Sequence, residues 1–268
     1  MRDAVVTVPI CPLFLEPREG SELADEVLYG MVVTVLGEEK GWLRFRTRYR
    51  YEGFARPGAL GEGDVLPWET GARSVVIRPF ADVLSEPSYR SSVLVTLPRG
   101  ASLVGGVAAG EDAAWCSVTL ADGREGFVRA CALRPARNWN EEGEECTRRH
   151  LAEDALAYLG TQYRWGGKTP QGIDCSGLCS MTYLLNGLVI YRDASIKEGF
   201  PVRSIAAEAA RKGDLLFWPG HIGLYLGDGR YVHSTGKSGG VLENSLRPED
   251  PDYRDDLAHS ITAWGSVF

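Results

Sequence analysis

No stretch of this 268-residue chain approaches the roughly 18 consecutive apolar residues that a membrane-spanning helix needs. The first twenty residues, "MRDAVVTVPICPLFLEPREG", lack the basic start, the apolar core and the small-residue cleavage site of a secretory signal, so a cytoplasmic protein is expected. A secreted or wall-associated protein is the alternative if a signal precedes Met1. Positive charge is also short: 29 Lys and Arg stand against 36 Asp and Glu, for a net charge of −7. Nucleic acid and anionic membrane surfaces call for clustered cations, so neither is expected as the main partner. Cysteines number only six, Cys11, Cys116, Cys131, Cys146, Cys175 and Cys179, spread far too thinly for a disulfide scaffold. Free thiols in a reducing compartment are the expectation.

What the chain does have is a repeat. Val5-Val6 recurs as Val75-Val76, Glu16-Pro17 as Glu86-Pro87 and Gly30 as Gly100, all at a separation of 70 residues. Beyond three extra residues near 105–114 the separation becomes 73, and Trp42, Gly53-Phe54, Arg56 and Ala59-Leu60 recur as Trp115, Gly126-Phe127, Arg129 and Ala132-Leu133. Short β-branched or alternating runs such as "MVVTVLG", "WLRFRT" and "EGFVRA", cut by Gly, Pro and charged turns, predict two small all-β barrels over 1–65 and 72–136. The early Glu-Pro turn, the Trp strand and the endings "YEGFARPGAL" and "REGFVRACAL" resemble bacterial SH3-like domains. A polar linker is expected at 137–147.

The remainder, 148–268, reads as α+β. "CTRRHLAEDALAYLG" has the apolar spacing of a helix ended by Gly160, and "SGLCSMTYLLNG" that of a second helix ended by Gly187. "DLLFW", "HIGLYLG", "RYVHST" and "SITAWGSVF" then read as strands, with Asp228-Gly229 as a hairpin turn. Cys175 falls where a loop enters the second helix, a position that favours thiolate over thiol. His221 and His233 lie 12 residues apart across the hairpin, a spacing that lets both imidazoles leave one face of the sheet. A nucleophile, a base and an orienting group fit this set. A zinc site of Cys175, Cys179, His221 and His233 is the competing reading, while two cysteines on successive helical turns make a poor disulfide. Cys179 reads as a buried packing residue, and His150 and His259 as surface or capping residues.

"YRWGG" at 163–167, "GIDCSGL" at 172–178 and "GDLLFWPGHIGLYLGDGRYVHSTG" at 213–236 stand in the order seen in NlpC/P60 cysteine peptidases, which this segment resembles. Two SH3-like domains in front make the whole similar to γ-D-glutamyl-L-diamino acid endopeptidases. The resemblance implies a papain-like catalytic domain with Cys175 as nucleophile, His221 as base, His233 as orienting residue and Tyr163 beside the nucleophile. It also implies substrate contacts from Asp174, Ser176, Trp165 and Asp193, and from Tyr51 and an acidic residue of the first barrel, Glu22 or Glu26. Arg124 stands where the second copy would repeat Tyr51, so that tyrosine is not a fixture of the barrel itself. The implied substrate is a murein peptide beginning L-Ala-γ-D-Glu, acted on by a monomer without metal or cofactor.

Overall fold

The computed structural model describes residues 1–61, 63–106 and 114–268; most of the insertion that distinguishes the second repeat copy, near 105–114, lies outside them. The chain divides into two compact units, Met1–Ala136 and Arg137–Phe268.

In the first unit, one sheet is built from β1 (Arg2–Val6), β2 (Ile10–Phe14), β3 (Leu23–Leu28), β4 (Val32–Glu39), β5 (Trp42–Thr47), β6 (Glu52–Ala55) and β7 (Leu60–Gly61). After α1 (Leu66–Thr70) a second sheet follows, from β8 (Arg73–Val76), β9 (Phe80–Leu84), β10 (Val93–Pro98), β11 (Ser102–Gly105), β12 (Trp115–Thr119), β13 (Glu125–Arg129) and β14 (Leu133–Pro135). The first runs β3-β2-β6-β5-β4-β1-β7 and the second β10-β9-β13-β12-β11-β8-β14, the same order strand for strand. This identity of topology is the structural form of the sequence repeat. The recurring Gly-Phe pair has a steric cause in both copies. A Cβ on Gly53 would stand 2.7 Å from the Leu13 side chain, and one on Gly126 would stand 2.5 Å from that of Val83.

The two barrels share a core rather than hanging as separate beads. Trp68 of α1 is buried with Val5, Tyr29 and Val32 of the first copy and Leu97, Ala101 and Leu103 of the second. Tyr29 packs edge-on against Trp68, its carbonyl accepts from the Ser102 N–H at 2.9 Å, and its hydroxyl accepts from the Ala121 N–H at 2.7 Å.

In the second unit, the segment expected as a linker is part of the fold. Trp139 stacks on Tyr183 at 6.1 Å and meets Phe268 at 5.2 Å, Arg137 donates to Asn186 at 2.6 Å, and the helix α2 (Glu144–Leu156) starts earlier than the apolar pattern suggested. Its first turn is polar, which hid it. Next come the two-stranded β15 (Lys168–Thr169) and β16 (Gly172–Ile173), the apolar helix α3 (Cys175–Leu185), and an antiparallel sheet of β17 (Arg203–Ile205), β18 (Leu215–Trp218), β19 (His221–Gly227), β20 (Arg230–Thr235), β21 (Gly240–Ser245) and β22 (Ala263–Ser266). The order is β17-β22-β18-β19-β20-β21, so β19 and β20, which carry the two histidines, lie well inside it. Asp228 and Gly229 both take left-handed backbone angles, φ 50° and 75°, as a tight hairpin connection requires. α4 (Asp255–Ala258) leads into the last strand.

Candidate active site

The nucleophile's position follows from a turn in which backbone meets backbone. Asp174 is the N-cap of α3: its carboxylate accepts from the Gly177 N–H at 2.6 Å and from the Gly166 N–H at 2.8 Å, tying the Trp-Gly-Gly turn to the helix start. A Cβ on Gly177 would lie 2.2 Å from the Gly167 carbonyl oxygen, and one on Gly167 would lie 2.3 Å from that of Gly172. Only glycine lets these segments close. The sheet is pinned to the same turn, because the Ser234 hydroxyl donates to the Ile173 carbonyl at 2.6 Å.

His221 and His233 meet directly, with Nε2 of the first 2.7 Å from Nδ1 of the second. Behind them, Nε2 of His233 lies 3.0 Å from Oδ1 of Asn244, and the Asn244 amide donates to the Asp252 carbonyl at 2.7 Å. The last contact fixes which way the amide points, and with it the protons. Oδ1 accepts from His233 Nε2–H, which leaves His233 Nδ1 to accept from His221 Nε2–H and His221 Nδ1 with a free lone pair. His233 is fully buried, and Trp218 lies tilted over both imidazoles, at 5.3 Å from His221 and 6.4 Å from His233. The backbone N–H groups of Ile222 and Ser176 both act on the Cys175 thiol, and α3 packs on β19, so the nucleophile lies near Ile222, the residue after His221.

The electrostatics differ from what the helix start alone suggests. Burial, reinforced by the Asp174 carboxylate, pushes the Cys175 thiol up to about 11, and this outweighs the opposing pull of the two N–H donors and Arg192. Burial likewise pushes His221 down to about 4, helped by His233 and Arg254, and His233 down to about 4, with the Asn244 contact pulling the other way. Both shifts favour a thiol and neutral imidazoles over an ion pair. Tyr163 is pushed up to about 12 by burial and by its neighbours Cys175 and Asp174, and so keeps its phenolic proton for donation.

The other expected contact residues divide. Asp174 and Ser176 are engaged with buried Arg192, which donates to both carboxylate oxygens of Asp174 at 3.0 Å and to the Ser176 hydroxyl at 2.7 Å. Both residues face inward and organise the helix start. Asp193 accepts from the Tyr191 hydroxyl and lines a small cavity with Tyr191, Ser195, Phe217 and Ile222. That cavity shares Ile222 with the nucleophile. Trp165 is 61% exposed, so it is a surface residue rather than core. In the other unit, Tyr51 packs against the first barrel's core, Glu22 is exposed and Glu26 is buried. Cys179, one turn below the nucleophile, is wholly buried, which raises its thiol well above the ordinary range. His259 is exposed, whereas His150 is partly buried against Glu142 and Cys146.

Asn244, Arg192, Trp218 and Arg254 were not singled out by the sequence reading. Asn244 pairs with Tyr231 on β20, two positions from His233 and so on the same face of the ladder, a placement set by strand order and not by any local signal in the sequence.

Comparison with known proteins gives the family of the chain. The sequence profile of the NlpC/P60 family matches residues 160–255. "Dipeptidyl-peptidase 6" of Lysinibacillus sphaericus is 44% identical over 99% of this chain and 100% of its own length. A "Gamma-D-glutamyl-L-lysine dipeptidyl-peptidase" of Bacillus subtilis is 35% identical over 44% of this chain, and the match spans only 41% of that protein. Among solved structures, an NlpC/P60 family protein from Bacillus cereus superposes with a TM-score of 0.80 over 98% of both chains at 20% identity, which shows a shared fold.

Proposed function

The chain belongs to the NlpC/P60 family of cysteine peptidases, and from that footing we propose that it hydrolyses the γ-D-glutamyl to L-diamino acid bond of murein peptides with a free N-terminal L-Ala. The observation that carries the chemistry is the line from His221 through His233 to Asn244, which leaves the His221 Nδ1 lone pair to accept a proton, while Ile222, the next residue on β19, acts on Cys175.

In the proposed reaction the Cys175 thiol gives its proton to His221 as the sulfur attacks the γ-glutamyl carbonyl. The Cys175 backbone N–H and the Tyr163 hydroxyl stabilise the oxyanion. The imidazolium hands its proton to the departing amine, leaving an L-Ala-γ-D-Glu thioester on Cys175, and a water deprotonated by the same imidazole releases the dipeptide. His233, held by Asn244, keeps His221 in the tautomer that can accept. Starting from neutral groups, the proton moves during attack rather than before it.

The Asp193 carboxylate, in a cavity that shares Ile222 with the nucleophile, supports recognition of a free ammonium group. The resemblance also gives Tyr51 and Glu22 a part in substrate selection; substitution by Ala and Gln respectively is expected to raise KM for free-amine peptides more than it lowers kcat. Recycling of soluble wall peptides in the cytoplasm is the role we favour over remodelling of intact wall. The test is incubation with L-Ala-γ-D-Glu-L-Lys and its N-acetylated form. Lysine release from the free-amine peptide alone fits the proposal, equal release from both points to wall remodelling, and binding without release would leave a peptide-holding module.

A further inference from the structure

Away from Cys175, the described residues bring metal-ligating side chains together in one place. Glu142, Cys146 and His150 follow one another at intervals of four: Cys146 and His150 sit on successive turns of α2, and Glu142 lies just before its start. Their ligand atoms all lie within 4.8 Å of one another, and all three residues are partly buried. His150 Nδ1 is 2.7 Å from Glu142 Oε2, and Cys146 Sγ is 3.8 Å from either ring nitrogen.

We infer that Glu142, Cys146 and His150 form a binding site for a borderline-soft divalent cation, zinc above all. A thiolate, an imidazole and a carboxylate are zinc's usual donors, with bonds of about 2.3, 2.0 and 2.1 Å. At tetrahedral angles those bonds put donor atoms roughly 3.3–3.6 Å apart. The sulfur already stands near that distance from the imidazole nitrogens, and the Glu142–His150 hydrogen bond must open to admit the ion. Three protein donors leave a fourth position for water.

The surrounding charges allow this. Arg137 approaches Glu142 through Oε1, at 3.6 Å, and leaves Oε2 to the site. Arg149 donates to the Cys146 sulfur at 3.2 Å. Its side chain is 60% exposed and already lies 3.7 Å from Glu153, so it can turn to that carboxylate when the sulfur binds metal. A bound ion would clamp the segment ahead of α2, which carries Arg137 and Trp139, onto the helix. It would thereby stabilise the second unit by mass action.

Cobalt(II) is a suitable probe, because thiolate ligation gives a near-ultraviolet charge-transfer band and tetrahedral geometry gives intense visible bands. The full-length chain is titrated with Co²⁺ and then with Zn²⁺, in parallel with Cys175→Ala, which removes the catalytic thiol. The expected result is one equivalent of Co²⁺ bound with the charge-transfer band in both proteins, displaced by Zn²⁺. Cys146→Ser should lose the band, and His150→Ala should bind roughly tenfold or more weakly. Zinc should raise Tm of the parent chain and not of Cys146→Ser. Both variants should keep the metal-free circular dichroism spectrum and peptidase activity, which separates lost ligation from lost folding. Absence of the band in the parent chain, its survival in Cys146→Ser, or its loss on Cys175→Ala would each overturn the inference.

Discussion

At the scale of single residues, burial decides how Cys175 and His221 share a proton. With the thiol pushed up to about 11 and the imidazole down to about 4, the neutral pair spans the physiological range. Alkylation of the free enzyme by iodoacetamide should therefore keep accelerating above pH 8, where a preformed ion pair would already have levelled off, and kcat/KM should hold down to about pH 5 before His221 protonates. Asn244 is argued to act through His233 by fixing its tautomer. Asn244→Leu removes the acceptor while keeping the volume similar, and kcat should fall by roughly 10–100-fold with KM little changed; Asn244→Asp, which can still accept, should recover most of the loss. A plain packing role would lower Tm in both variants and leave kcat alone. Cys175→Ala should abolish turnover, whereas Cys179→Ala should leave it within a few-fold and cost about 1–2 kcal/mol of stability, because a small buried side chain is lost from the core.

The elements that hold these residues explain why part of the site could be read from the chain and part could not. The turn before α3 was legible because its geometry allows few residues: Gly166, with φ 74°, Gly167 and Gly177 at backbone–backbone contacts, and Asp174 as N-cap. Gly177→Ala should disrupt the helix start itself, with a loss of several kcal/mol or failure to fold, measured as Tm against the parent chain. The hairpin with His221 and His233 was legible for a similar reason, since Asp228-Gly229 marks its turn and period-2 alternation gives the shared face. Asn244 was not, because β21 follows a further loop and nothing local says which strand lies beside His233. The early start of α2 also escaped: its first turn, Glu144 and Glu145, has no apolar stripe, and Trp139 finds its packing partners in Tyr183 and Phe268, far along the chain. The thiol–imidazole balance escapes local sequence for the same kind of reason, since proximity to a helix start is local and desolvation is not.

For the whole molecule, the buried histidines link folding to pH. Each has a folded pKa near 4 against an ordinary value of 6.5, so the unfolded chain binds more protons between those limits. Stability should accordingly be full above about pH 6.5 and decline as pH falls toward 4, by about 1–2 kcal/mol per imidazole at pH 5 once their coupling is discounted. Thermal melting at pH 7 and pH 5 checks this, and His221→Gln should shrink the difference. The repeat sets the other large-scale feature: one strand order used twice, then joined through Trp68 and Tyr29 into one unit. The proposed reaction rests on a single sulfur forming an acyl-enzyme. Rapid acid quenching during turnover of L-Ala-γ-D-Glu-L-Lys, followed by peptide mapping with fragment-ion assignment, should find the L-Ala-γ-D-Glu thioester on Cys175 and none on Cys179. An adduct on Cys179, or continued lysine release by the Cys175→Ala enzyme, would contradict it.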